Sequence, residues 1–568
     1  MALPPARPLL LAACVLSVAC GSDEPIAPAG GLLTIGQSLA VESGREVRLL
    51  PGAADGEFVA VVSNVSLDSS GRTDFTFRGT GLQTVQAGPF GSVAASPDLR
   101  PDGSAPAVLV RDATFESRLR DREITELTPR MTTARSWYAA STASIAGGAS
   151  ASRIPALPTS PSVGDLVTVN VNVTEPCANP VYRALRVVAL GTKALVLSDT
   201  LNPKPGFSTV DFQRYAAKFD TLVYPLDVAA FGEPTDIDKN GRIAIVFTRA
   251  VNELTPRSAL SYVGGLTFTR DLFPQVATPR ALACPASNEG EFFYLMTPDP
   301  SGLVNGNRRS NGFVDSNTTA VIAHELQHLI NASRKLYINT AAPKFEEKWL
   351  DEGLAHMAEE LLFYREAGLS PRSNLTYAAV TGTLRSRVAY STDMTGNASR
   401  YRDFLFATST SSPYAAGDSL TTRGATWSLL RYLADQSAGT DGDIWSRLAN
   451  NTSVGIANLK SVFGSELPPM IRDWAASLAV DDITGPASLQ QKSWNWRSVY
   501  GGASGAAGLY PLQVTAMQPA TSYNGAVVAG GAAYYKLSVP ANGTATLSLA
   551  GPSGAVASNL QLVIVRTK

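Results

Sequence analysis

The chain is short of histidine, cysteine and charge. Its 568 residues include 3 His and 4 Cys, 17% are Asp, Glu, Lys or Arg, and the formal net charge is −1. Four cysteines are too few for a scaffold built on disulfides. Near-neutral charge without a Lys/Arg block excludes nucleic acid as the main partner. After residue 20 there is no apolar run of about 18 residues, which excludes a membrane-spanning helix beyond the amino end. What is present is apolar bulk: 45% of the residues are hydrophobic, too many for a disordered chain, and the length suits roughly three to four domains.

The amino end reads as a targeting segment. Residues 1–19 set one early charge, Arg7, before the apolar run Leu9 to Leu16 and the small residues Ser17, Val18 and Ala19, the pattern of a secretory signal. The next residue is Cys20, and the segment resembles a bacterial lipoprotein signal in which that cysteine is acylated; an ordinary signal peptidase would cut the same bond. Either route predicts export, the first as a cell-surface or outer-membrane lipoprotein. Beyond Cys14 and Cys20 only Cys177 and Cys284 remain, an even pair expected to form one disulfide in an oxidising compartment. Closing so long a loop contributes on the order of 4–5 kcal/mol.

Punctuation along the chain divides the rest. A Pro/Gly-rich tether (20–31) leads to strand-like runs over 32–110, such as Phe58 to Val62 and Thr73 to Phe77 separated by Asp68-Ser69-Ser70-Gly71, which predict a small β-sandwich. Residues 111–162 hold a charged helix stopped by Pro129, then an Ala/Ser-rich linker from 139. A new unit (163–484) opens with the alternating Val167, Val169, Val171 and Val173 and a hairpin turning at Gly191-Thr192. Residues 495–568 are β again and predict a second, separate sandwich. The amino-terminal β segment could serve as a removable pro-segment or as a permanent spacer.

One constellation carries chemistry. His324-Glu325-Leu326-Gln327-His328 lies in a helical run, Thr318 to Leu336, with Ser316, Asn317 or Thr318 as N-cap and Ile322, Leu326, Leu329 and Leu336 as the apolar stripe. Histidines at i and i+4 sit one turn apart on one face, so both imidazoles can reach a single ion, while Glu325 can reach a water on it. The remaining histidine is His356, so all three fall between 324 and 356. It lies on a second helix, Trp349 to Glu360, whose Glu352, His356 and Glu359 share a stripe.

H-E-x-x-H followed by a helix with W-L-x-E-G resembles the Glu-zincin metallopeptidases, and His324 to Asn331 with Trp349 to Leu354 looks most like the hyicolysin family of secreted bacterial neutral metallopeptidases. The resemblance implies zinc on His324, His328 and Glu352, with Glu325 as general base. It implies a multidomain chain, with an α+β zincin-type catalytic domain flanked by the all-β sandwiches. It also implies a monomer acting on proteins or peptides, touching membrane only through its lipid. The metzincin pattern would need Gly and His where Asn331 and Arg334 stand. The G-x-M-E-N strand of zinc aminopeptidases is missing, which favours endopeptidase action.

His356 could replace Glu352 as ligand, hydrogen-bond behind the ligands, or contact substrate. Tyr414, ahead of Tyr390 and Tyr401, is the candidate for stabilising an oxyanion. Asp236, Asp238 and Asn240 open like a calcium loop, but its twelfth position is Phe247, so a polar turn is the expected reading. Glu289 to Tyr294 resembles the edge strand that cradles substrate. The alternatives to a peptidase are a non-catalytic surface binding lipoprotein on the same scaffold and a zinc hydrolase of another substrate.

Overall fold

The structure is a computed structural model that describes residues 29–41, 44–85, 110–111, 113–143, 157–259, 261–275, 282–504 and 510–568. The signal segment, Cys20 and most of the tether lie outside those residues.

The two β segments do not form two sandwiches. They interleave into one. Its first sheet runs in the order β1 (Ala29–Leu32), β3 (Val47–Leu50), β17 (Ala545–Ala550), β5 (Arg72–Thr80), β15 (Ser522–Val528). The second runs β14 (Val514–Ala516), β16 (Ala532–Val539), β4 (Gly56–Asn64), β18 (Leu560–Arg566), β2 (Ser38–Val41). β4 is thus flanked on both sides by carboxy-terminal strands, antiparallel to each. Neither half alone would close its edges or cover its core. Removal of a pro-segment ending in the linker would take β4 from the centre of the second sheet and β3 and β5 from either side of β17 in the first.

Burial along β4 accounts for its unbroken apolar run, Phe58 to Val62. Phe58, Ala60 and Val62 fill the space between the two sheets, while Val59 and Val61 pack into the main core of the molecule. A strand dry on both faces has no polar side to display. Helix Leu467–Val480 supplies part of that second covering.

The first helix ends at Leu127, just ahead of Pro129, as expected, but helical structure resumes at once. Helix Ala113–Leu127 passes through a tight turn at Thr128–Arg130, with the proline in its first positions, into helix Met131–Ala143. Proline lacks only an N–H that a helix start leaves unpaired anyway.

The central unit is built on a six-stranded sheet: β12 (Gly265–Thr267), β13 (Phe292–Leu295), β10 (Ile243–Phe247), β9 (Ala194–Asp199), β8 (Tyr182–Leu190), β7 (Leu166–Asn170). β7, β8 and β9 form the expected meander, and β13 and β9 run parallel to β10. Two short strands, β6 (Val110–Arg111) and β11 (Ser261–Tyr262), pair beside it. The run expected at the edge, Glu289 to Tyr294, instead leads into β13, an interior strand; the edge belongs to β12. Cys177 and Cys284 are bonded, 107 positions apart. Among the described residues no helix is long and apolar enough to cross a membrane.

Candidate metal centre

The motif helix spans Asn311–Ser333 and is capped by Ser310, whose Oγ accepts from Phe313 N at 3.1 Å. The cap lies ahead of Ser316, Asn317 and Thr318, so the helix begins earlier than its apolar stripe suggests. Thr267 of the edge strand β12 donates its hydroxyl to Glu325 O at 2.7 Å, which ties the sheet edge to the motif. The second helix, Lys348–Ala367, packs against the first. Gly353 serves a different neighbour from the one expected: a Cβ there would come within 2.6 Å of Thr426 Cγ2, so it admits helix Leu420–Gln436.

These elements bring His324, His328 and Glu352 together, each at most 3% exposed. The two Nε2 atoms are 3.2 Å apart, His324 Nε2 is 3.4 Å from Glu352 Oε2, and His328 Nε2 is 3.6 Å from Glu352 Oε1. Ligands held tetrahedrally at zinc's usual bond lengths are about 3.3–3.4 Å apart. The nearest charged or ring groups to the Glu352 oxygens are the two imidazoles and the guanidinium of Arg423. The donor set therefore fits one metal ion, and two imidazoles with one carboxylate suit zinc.

Behind the donors stands a ring of charges. His328 Nδ1 lies 2.8 Å from Asp351 Oδ2, and His324 Nδ1 lies 2.9 Å from Glu359 Oε1. Asp351 also accepts from Asn331 Nδ2 at 2.5 Å. Such contacts orient metal-ligating imidazoles. His356 Nδ1 sits 3.2 Å from the other oxygen of Glu359, so His356 reaches His324 through that carboxylate. Burial first, then Arg400, pulls His356 down to about 3, which keeps it neutral. His324, His356 and Glu359 make a second, overlapping group of potential ligands, but Glu359 is already shared between the two imidazoles.

Arg423 was not foreseen. Its guanidinium grips Asp418 through Nε and Nη2, at 3.0 and 2.7 Å, and its Nη1 contacts Glu116 and lies 2.9 Å from Glu352 Oε2. Against burial, which alone would raise it, Arg423 and the two histidines hold the Glu352 carboxyl well below the usual range. Nothing local marks this arginine; it reaches the centre from a helix some 70 positions along the chain.

Tyr414 does not serve the centre. It is fully buried, and its hydroxyl donates to Ser66 O at 2.6 Å, which commits it to the seam with the sandwich. Its ring packs on Trp349. Tyr390 packs on Phe363, and Tyr401 on Trp427 and Trp496.

At the Asp236 turn Asn240 is engaged within the turn, as the polar-turn reading expects: its Oδ1 accepts from Arg242 N and its Nδ2 donates to Asp238 Oδ2 at 2.7 Å. The third acid is Glu291, from just before β13, and one carboxylate oxygen from each of Asp236, Asp238 and Glu291 lies within 4.8 Å of the others.

Helix Ala113–Leu127 lies across the metal centre. Arg120 Nη1 donates to Thr267 O at 3.1 Å, Glu123 Oε1 accepts from Thr269 N at 2.5 Å, and Lys348 Nζ lies 2.8 Å from Asp121. Glu123 and Arg120 pair with each other, and Arg120 Nε is 3.8 Å from Asp351. The cavity left beside His328 measures about 20 Å³ and is lined by Arg120, Glu123 and Asp351 among others, room for a water and no more.

No family model matches the chain. Over 144 residues it is 30% identical to the neutral metalloprotease ShpI of Staphylococcus hyicus, a match covering 25% of this chain and 29% of that protein. The chain is related over that quarter to a metalloprotease.

Proposed function

We propose that this chain is an exported zinc endopeptidase, a monomer anchored by lipid at Cys20, that hydrolyses proteins or peptides. The mutual spacing of the His324, His328 and Glu352 donors carries the reading; the partial likeness to a metalloprotease supports it. The binding-protein alternative is not favoured, since no position of the motif is damaged.

Zinc bound there would acidify a water and polarise the scissile carbonyl. Glu325 takes the proton that the attacking water gives up and returns it to the departing amine. Asp351 and Glu359 keep the Nδ1 protons of His328 and His324, which leaves each Nε2 as donor. Arg423 keeps Glu352 ionised and in place. His356 acts as a positioning residue through Glu359.

The test is casein cleavage by the chain and by Glu325→Ala, with zinc determined on both. Wild-type cleavage beside a zinc-loaded, silent variant is the expected result. Absence of zinc from both overturns the metal reading, and equal cleavage overturns the role of Glu325.

A further inference from the structure

We propose that Asp236, Asp238 and Glu291 form a calcium site that clasps the starts of β10 and β13, independent of the peptidase reading. Glu291 is 2% exposed. Its Oε1 accepts from Ile237 N at 2.9 Å, the backbone amide between the two aspartates, so its carboxyl is seated at the centre of the turn. Its Oε2 accepts nothing among the described residues. A buried carboxylate oxygen without a donor is costly unless a cation joins it. No Lys or Arg makes an ion pair with Asp236 or Glu291 among the described residues.

The chemistry of the group selects the ion. Three carboxylates and no imidazole or thiolate make a hard, all-oxygen donor set, and calcium accepts irregular oxygen shells completed by carbonyls and water. Gly290 makes room: a Cβ there would come within 3.1 Å of Asp238 Oδ2. The turn begins like a calcium loop, and the acid missing from its twelfth position comes from a neighbouring strand instead. Glu291 O accepts from Ala244 N at 2.8 Å, so the ion would lie where β10 and β13 join.

Isothermal titration of the full chain with calcium chloride tests this, with zinc measured on the same samples to keep the two metals apart. Wild type should bind one calcium and gain several degrees of unfolding temperature. Glu291→Gln should show neither, yet should melt above wild type in EGTA, because it no longer buries an unpaired carboxylate. Asp236→Asn, on the exposed rim, should weaken binding about tenfold, and it decides the matter should Glu291→Gln not fold. No binding by wild type at millimolar calcium, or equal binding by the variants, overturns the site.

A different set of contacts carries a second inference, which rests on the peptidase reading. We infer that helix Ala113–Leu127 is an inhibitory cover. Among the described residues β12 is an edge strand of the sheet, and Thr267 O, at its end, is the kind of group an extended peptide would pair with. Arg120 takes it, while Glu123 takes Thr269 N at the start of the turn that follows. The same helix reaches Arg423 through Glu116. The double variant Arg120→Gln, Glu123→Gln removes both buried charges at once and leaves neither unpaired. It should cleave a fluorogenic peptide at least about tenfold faster than wild type and release zinc faster to a colorimetric chelator. The chelator rate reads the cover even if no form cleaves peptide. Unchanged release from a folded double variant overturns the cover; faster release without cleavage leaves the cover standing and counts against the peptidase.

Discussion

Two carboxylate clusters in this molecule are buried on opposite terms. Around His324 three acids have basic neighbours: Glu352 has Arg423, Asp351 has His328, and Glu359 has His324 and His356. At Asp236, Asp238 and Glu291 backbone amides and Asn240 supply hydrogen bonds, and among the described residues no ion pair reaches Asp236 or Glu291. The first cluster is shaped before any metal arrives, because these acids already have partners that fix their positions. The second gathers like charges, and an ion would complete it. Preorganisation and ion dependence are thus two ways of placing acids in one core.

The comparison can be broken at either cluster. The largest effect expected is that of Glu325→Ala, which should lower peptide cleavage about 10²–10⁴-fold with zinc content unchanged, read by initial rates and metal analysis. Arg423→Met would strand Glu352, Asp418 and Glu116 together; denaturant melts should show a loss of about 3–5 kcal/mol. Asp351→Asn removes the negative charge behind His328 and should weaken zinc about 10–100-fold in competition with a chelator, while leaving the response to calcium alone. At the other cluster Asn240→Ala loses only turn hydrogen bonds, about 1 kcal/mol by thermal melt, and calcium binding should survive it. Loss of calcium there would make Asn240 a ligand after all and blur the contrast.

The motif was legible because i, i+4 spacing is a property of one helix, and Glu352 and Glu359 were legible as a stripe on the next. The pair Cys177 and Cys284 could be matched because no other cysteine remained in the body. Arg423, Arg120 and Glu116 could not be read, since each reaches the centre only after helices distant in sequence have docked. Tyr414 was misplaced for the same reason: its partner, Ser66, lies 348 positions away. The sandwich failed on topology. Each terminal segment shows honest strands, but alternation within a strand says nothing about whether its neighbour comes next or at the far end of the chain.

That interleaving has a consequence in time. Ser63 and Gln561, hydrogen-bonded neighbours, are made 498 residues apart. At about 5–20 residues per second, β4 waits roughly 25–100 s for the strands that flank it. Until then its apolar faces and open edges need shelter, as a chaperone provides. A ribosome stalled before β18 would yield a chain with every residue of the metal centre and β4 paired on one side only. Completion of β18 is therefore a quality check written into the order of the strands.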